Sequence, residues 1–226
     1  MHFADLNWMD VESYLQQDDR VILVVGSTEQ HGYLSLLTDA RIPMALADAV
    51  AARAQVLVAP PLNFGVSPEW AEFPGTLSLS AETFHQALYE LVMSLVQHGF
   101  RRILILNGHG GNTVPPQFEA LQADVEGLRI VWYEWFRAPA AAAFAAEQGL
   151  AVAHANWSEA FAFTRVAELP QAAKAPVNWE LQEAGLTMRQ VIGDGSGGGP
   201  YQVPDAAMER LFNALVVDAL HTLETM

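Results

Sequence analysis

Glu29 and His31 stand two residues apart in Gly26-Ser27-Thr28-Glu29-Gln30-His31-Gly32, and His109 lies inside Asn107-Gly108-His109-Gly110-Gly111-Asn112. Each stretch directly follows a run of aliphatic residues. A carboxylate and two imidazoles are ligand types that a divalent cation prefers, and the loop after a buried strand is where parallel α/β proteins build active sites. On an extended segment leaving a strand, residues two apart point to the same side, so Glu29 and His31 can converge on one centre. Asp39, at the end of Leu36-Leu37-Thr38-Asp39, can return a second carboxylate. The glycines around His109 free the backbone for unusual dihedrals and for close approach to a ligand. Together these residues point to a metal-dependent hydrolase.

Three further stretches carry polar chemistry. His154 and Glu159 are spaced in His154-Ala155-Asn156-Trp157-Ser158-Glu159 as a loop entering a helix would space them, not as one helical face. Gly193-Asp194-Gly195-Ser196-Gly197-Gly198-Gly199-Pro200 lacks the Lys-Ser/Thr ending of a phosphate loop and reads as a flexible rim or lid. A nucleotide-binding reading of Gly108 to Gly111, with Glu134 as the ribose acid, fails on spacing. The glycines are not G-x-G-x-x-G, and Pro115-Pro116 delays the helix that should receive a pyrophosphate. His2, His85, His98 and His221 read as solvated bystanders.

Short unbroken apolar runs at Val21 to Val25, Val56 to Ala59, Ile103 to Leu106 and Ile130 to Tyr133 read as strands buried on both faces. A helix follows the N-cap Ser80, with Phe84, Leu88, Leu91, Val92, Leu95 and Val96 as its apolar stripe and Gly99 as its stop. Pro115 and Pro116 open another helix running to about Gly127, and an amphipathic helix covers Asp205 to Leu223. Alternating strands and helices predict a mainly parallel sheet between helical layers, with ligands beyond the carboxyl ends of the strands. The 226 residues suit one domain, since no compositional break divides them.

Eleven Lys and Arg against 26 Asp and Glu give a net charge of −15, which repels nucleic acid and anionic membranes alike. Hydrophobic residues make up 51% and charged ones 16%, an apolar surplus that predicts a homo-oligomeric interface. The chain has no cysteine, which excludes disulfides, thiolate metal sites and a Cys nucleophile, and fits a reducing, cytoplasmic setting. Met1 to Leu6 does not read as a signal peptide, and Glu147-Gln148-Gly149 interrupts the Ala-rich tract before it could span a bilayer. No membrane partner is expected.

Taken in order, Gly26 to Gly32, Thr38-Asp39, Phe73-Pro74-Gly75-Thr76, Asn107 to Asn112, His154-Ala155 and Gly193-Asp194 resemble the successive motifs of the creatininase (creatinine amidohydrolase) family. The resemblance implies a three-layer α/β/α domain, two divalent ions of zinc or manganese, hydrolysis of a carbon–nitrogen bond in a small amide, and a hexamer. It implies Glu29 and His109 on one ion, His31 on the other, Asp39 bridging both, and His154 as proton shuttle. Two adjacent cations lower the pKa of a bridging water from about 15.7 to near 7, supplying hydroxide to attack the amide carbonyl.

The chain departs from the family pattern at three places. The segment from His31 to Asp39 is one residue shorter than usual and lacks the second histidine of His-Gly-x-His-Leu-Pro. Creatininase itself carries a metal-binding glutamate where this chain has Gly111, and a substrate-contacting tyrosine where it has Gly110. The relatives' His-Ala-Gly-Glu reads His154-Ala155-Asn156-Trp157 here. Glu159 is therefore expected to complete the second metal position, and creatinine is not the expected substrate. Trp135 and Trp157 are expected to wall a pocket for a flat amide, lactam or formamide. The alternatives are a peptidase acting in maturation of a peptide-derived cofactor, and a non-catalytic binding protein that kept the fold.

Overall fold

The computed structural model describes residues 1–178 and 180–226. Helix α1 (Trp8–Leu15) precedes strand β1 (Arg20–Val25), helix α2 (Thr38–Ala54) and strand β2 (Leu57–Val58). Helix α3 (Ala81–His98), strand β3 (Arg102–Asn107), helix α4 (Gln117–Asp124) and strand β4 (Arg129–Glu134) follow. Helices α5 (Pro139–Gln148), α6 (Glu180–Glu183), α7 (Met188–Ile192) and α8 (Asp205–Glu224) complete the chain. The four strands form an all-parallel sheet in the order β2-β1-β3-β4.

Alternation along each strand builds both cores. Val21, Leu23, Val25, Ile103 and Ile105 face a cluster with Phe84, Leu88 and Val92 of α3 and Phe118 of α4. Their neighbours Ile22, Val24, Leu104 and Leu106 face Ile42 and Leu46 of α2, Phe144 of α5 and Leu211 and Leu215 of α8. A strand apolar on both sides has to be covered on both sides, which is why the runs are continuous and the fold is a three-layer α/β/α sandwich.

The expected helix after Ser80 is α3, whose N-cap hydroxyl accepts from the Thr83 N–H at 3.1 Å, and Gly99 ends it at φ 110°. One stripe residue is corrected: Leu91 is exposed, because the buried arc is already filled by Phe84, Leu88, Val92, Leu95 and Val96. Helix α4 stops at Asp124, short of Gly127. Among the described residues no helix is long and apolar enough to cross a membrane.

Helix α2 was not legible in the sequence, and it carries Asp39 in its first turn. Pro43 lies inside this helix and has no N–H to offer the carbonyl four residues back, that of Asp39. The chain leaves β1 toward β2 on one side and leaves β3 toward β4 on the other, so a crevice opens where Val25 pairs Asn107. The Gly26–Gly32 and Asn107–Asn112 stretches both emerge there.

Candidate metal centre

Asp39 sits at the middle of this crevice, 3% exposed, and its two carboxylate oxygens face different histidines. Oδ1 lies 2.9 Å from His31 Nε2, and Oδ2 lies 2.9 Å from His109 Nδ1 while also accepting from the Ser27 hydroxyl at 2.8 Å. Glu29 Oε2 is 3.5 Å from His109 Nδ1, and Glu159 Oε2 is 3.8 Å from His31 Nε2. Two sets of potential ligands result, Glu29 with Asp39 and His109, and His31 with Asp39 and Glu159; within each set the atoms lie within 4.8 Å of one another. Glu29, His31 and His154 form a third such set.

Backbone carbonyls aim both rings. His31 Nδ1 is 3.2 Å from the Glu29 carbonyl and His109 Nε2 is 2.8 Å from the Val66 carbonyl, so each ring donates away from the crevice and turns its other nitrogen toward Asp39. The Asn107 amide donates to the His109 carbonyl at 2.8 Å, and Asn112 ties the same loop to the Gly26 carbonyl at 3.1 Å.

Glycine is required where α2 meets this floor. A Cβ on Gly108 would lie 1.9 Å from the Asp39 carbonyl oxygen, and one on Gly26 2.5 Å from it. Gly108→Ala is therefore expected to push the first turn of α2 outward and to cost roughly 1–3 kcal/mol of stability. Thermal melting checks the cost, and a wild-type transition would contradict the packing described.

Electrostatics in the crevice follow from burial. Burial opposes charge on His31 and His109, yet Asp39 outweighs it and holds their pKa values up, at about 10 and about 9. Burial also works to raise Asp39, but the two histidines pull its carboxyl well below the ordinary range. Burial, with Asp39 next to them, raises Glu29. Burial raises Glu159 as well, against the charge of His31.

A divalent cation fits this donor set. Among the described residues Glu29 Oε2 is buried with no hydrogen-bond partner, an arrangement that costs free energy unless something positive satisfies it. Three carboxylates and two imidazoles are hard-to-borderline donors that suit zinc or manganese.

His154 lies over His31 with ring centroids 4.4 Å apart, and its other face stacks on Trp70 at 4.2 Å and 12°. Its Nε2 is held by Gln30, 2.9 Å from the backbone carbonyl and 2.8 Å from the side-chain nitrogen. Its Nδ1 is 3.7 Å from Glu29 Oε1. Burial, reinforced by the His31 charge, lowers its pKa to about 3. Ala155, next in the chain, takes a left-handed φ of 53°, a conformation that a non-glycine residue adopts at a cost, and its N–H donates to Glu159 Oε2 at 2.7 Å. Asn156 caps the short turn Trp157–Glu159 through the Ser158 N–H at 3.0 Å, which is what mounts Glu159 beside His31.

The cavity beside these groups has a volume of about 270 Å³, and Gly110, Gly111, Trp70 and Phe136 are among its walls. A Cβ at Gly110 would meet nothing within 4 Å, so space stands open there. At Gly111 a Cβ would fall 2.2 Å from the Val66 carbonyl, so no side chain can be carried there without moving the strap at 65–67.

Trp135 and Trp157 do not line the cavity. They are 2% and 1% exposed and pack in the core cluster with α5 and α8, where aromatic area is most fully buried. The wall position belongs to Trp70, in a turn at Pro68–Trp70. Its only sequence signal is an aromatic next to an acid in Ser67-Pro68-Glu69-Trp70, just before Phe73-Pro74-Gly75-Thr76. Thr76 in turn accepts from the Gln30 N–H at 3.1 Å.

The glycine-rich stretch at 193–200 is anchored and does not hang free as a lid. Lys174 Nζ donates to the Ile192 carbonyl at 2.5 Å, to Asp194 Oδ1 at 2.5 Å and to the Ser196 carbonyl at 2.6 Å. The Gly195 carbonyl accepts from Gln30 Nε2 at 3.1 Å, and a Cβ at Gly195 would collide with that side chain.

If His154 is the proton shuttle that the family resemblance implies, Trp70→Ala should release its ring and lower kcat by roughly 10²-fold, the order of loss for such a group misplaced by about 1 Å. Unchanged kcat in the metal-loaded variant would deny Trp70 this part.

This fold and this crevice define an α/β protein with a shared carboxylate between two clusters of metal-ligand type. A family model described as Creatininase, creatinine amidohydrolase, matches residues 4–223. The chain belongs to the creatininase family. It is 32% identical over 118 residues to creatinine amidohydrolase of Pseudomonas putida, a stretch covering 49% of this chain and 45% of that protein. It is 42% identical over 116 residues to the mycofactocin precursor peptide peptidase of Mycolicibacterium smegmatis, covering 48% and 44%. A 3-dehydro-scyllo-inosose hydrolase of Thermotoga maritima is 31% identical over 118 residues, covering 51% and 38%. These matches span less than half the length of the curated relatives. In fold, the chain is similar to a manganese-form creatininase with a TM-score of 0.80 at 22% identity, covering 99% of this chain and 97% of that one.

Proposed function

We propose that this chain is a metal-dependent amidohydrolase that cleaves a carbon–nitrogen bond of a small amide, lactam or formamide. The observation that carries the reading is Asp39, whose two oxygens serve separate clusters. Glu29, Asp39 and His109 would hold one divalent ion and His31, Asp39 and Glu159 a second, zinc or manganese. When bound, such a pair lowers the pKa of water toward 7 and polarises a carbonyl.

The chain's own groups do the rest. With Nε2–H donating to the Gln30 backbone carbonyl, His154 keeps Nδ1 as the atom that takes up a proton and delivers it to the leaving nitrogen. The Trp70 and His31 rings fix its plane. The small volume and the open space over Gly110 favour a compact substrate.

A peptidase reading is supported by the higher identity to mycofactocin precursor peptide peptidases, 42% and 40% in two mycobacterial proteins. A panel of cyclic amides, formyl amides and short peptides, assayed with zinc or manganese and again after chelation, separates the two. Turnover that survives chelation would remove both. The same reading takes the chain as one domain and a cytoplasmic homo-oligomer, a hexamer by family resemblance. Exposed apolar residues such as Trp8, Met9, Val166 and Val217 support an interface, and sedimentation measures the number.

A further inference from the structure

Glu69 lines the cavity but belongs to none of the three ligand clusters, and among the described residues it has no ion-pair or hydrogen-bond partner. Its turn is not free to swing. Trp70, the next residue, is 9% exposed and stacked on His154, and the Ser67 hydroxyl just before the turn reaches His109 Nε2 at 3.2 Å. The carboxylate is therefore presented at the rim by the same element that supports the catalytic histidine.

Among the described residues no lysine or arginine lines the cavity. In the two-ion reading above, four positive charges meet the three carboxylates of Glu29, Asp39 and Glu159, which leaves Glu69, among the described residues, as the one lining carboxylate outside the ligand clusters. The neighbouring walls, Trp70, Phe136, Val152 and Ala153, offer apolar surface and no side-chain cation. A substrate whose amide sits at the ligand clusters extends its distal end past these walls and past Glu69.

We propose that Glu69 is a specificity-determining residue that selects amides whose distal end carries a protonated amine or an amidinium-type N–H group, and disfavours those ending in a carboxylate. This rests on the amidohydrolase reading. The contact is a charge-assisted hydrogen bond at an exposed rim, stronger than a neutral one but screened by salt.

The test uses the metal-loaded chain with three linear amides of matched size: 4-aminobutanamide, its neutral isostere pentanamide, and succinamate. Both kcat/KM and equilibrium binding by calorimetry are read for each. The expected preference is about five- to tenfold for 4-aminobutanamide over pentanamide, carried in KM and in Kd, with succinamate weakest. Glu69→Gln should bring the first ratio close to one, Glu69→Lys should move succinamate to first place, and added salt should shrink the wild-type ratio. Selective binding without turnover would uphold Glu69 and overturn the hydrolase reading. Metal-dependent turnover with the same ratios in wild type and Glu69→Gln would overturn the role of Glu69 alone. Absence of both binding and turnover for all three amides would overturn both.

Discussion

Asp39→Asn is expected to reduce turnover by about 10³-fold or more and to lower the metal content of the purified chain at both positions. The carboxylate is shared: Oδ1 serves the His31 side and Oδ2 the His109 side, so one neutral amide weakens two clusters at once. Electrostatic stabilisation by a cation pair is worth several kcal/mol, and about 4 kcal/mol corresponds to that factor. The substitution keeps the shape of the side chain, so the first turn of α2 can stay where Gly26 and Gly108 receive it. Elemental analysis beside circular dichroism distinguishes lost metal from lost fold. A folded variant with full metal content and wild-type kcat would sink the shared-ligand assignment. His109→Ala should empty the Glu29 side preferentially, because the Glu159 side retains His31 and Asp39.

Removing the metal should be felt in stability as strongly as in activity. Glu29, Asp39, His31 and His109 are all nearly inaccessible, and among the described residues Glu29 Oε2 has no hydrogen-bond partner, so without metal the crevice carries buried charge that only partly compensates itself. A cation present at about a thousand times its Kd stabilises the folded state by about 4 kcal/mol. For a chain of this length that amounts to roughly 8–16 °C in Tm. Scanning calorimetry of the chelated chain and of the same sample refilled with zinc or manganese measures the difference. Identical melting points would mean that no ion binds the folded crevice. Binding also requires both imidazoles to give up protons, so apparent metal affinity should fall as pH is lowered.

Local patterning made much of the sheet and part of the site readable before any tertiary contact was known. A strand buried on both faces has to be apolar at every position, so the runs ending at Val25 and Leu106 identified themselves, and the polar residues just beyond them fell at strand ends by adjacency alone. Glu29, His31 and His109 were singled out in this way, and His154 and Glu159 by their spacing in one loop, before the order of motifs along the chain gave His154 its expected role. Where patterning was ambiguous, packing decided. Helix α2, whose first turn carries Asp39, has Pro43 in its interior, where a proline weakens the local helical signal until the surrounding chain holds the helix together.

The aromatic residues mark the same boundary. Apart from the acid beside Trp70, little in the local sequence distinguishes it from Trp135 and Trp157 as a pocket wall; α5 and α8 cover the latter two, while the Pro68–Trp70 turn delivers Trp70 onto His154. Composition and spacing determined which ligand types this chain brings to its strand ends, since ligand type is a property of each side chain and strand-end placement a property of its neighbours. How the two oxygens of Asp39 divide between the histidines, which tryptophan lines the cavity and which glycine allows no side chain were decided by the close approach of segments far apart in the chain, and that depends on how the two helical layers pack on the sheet.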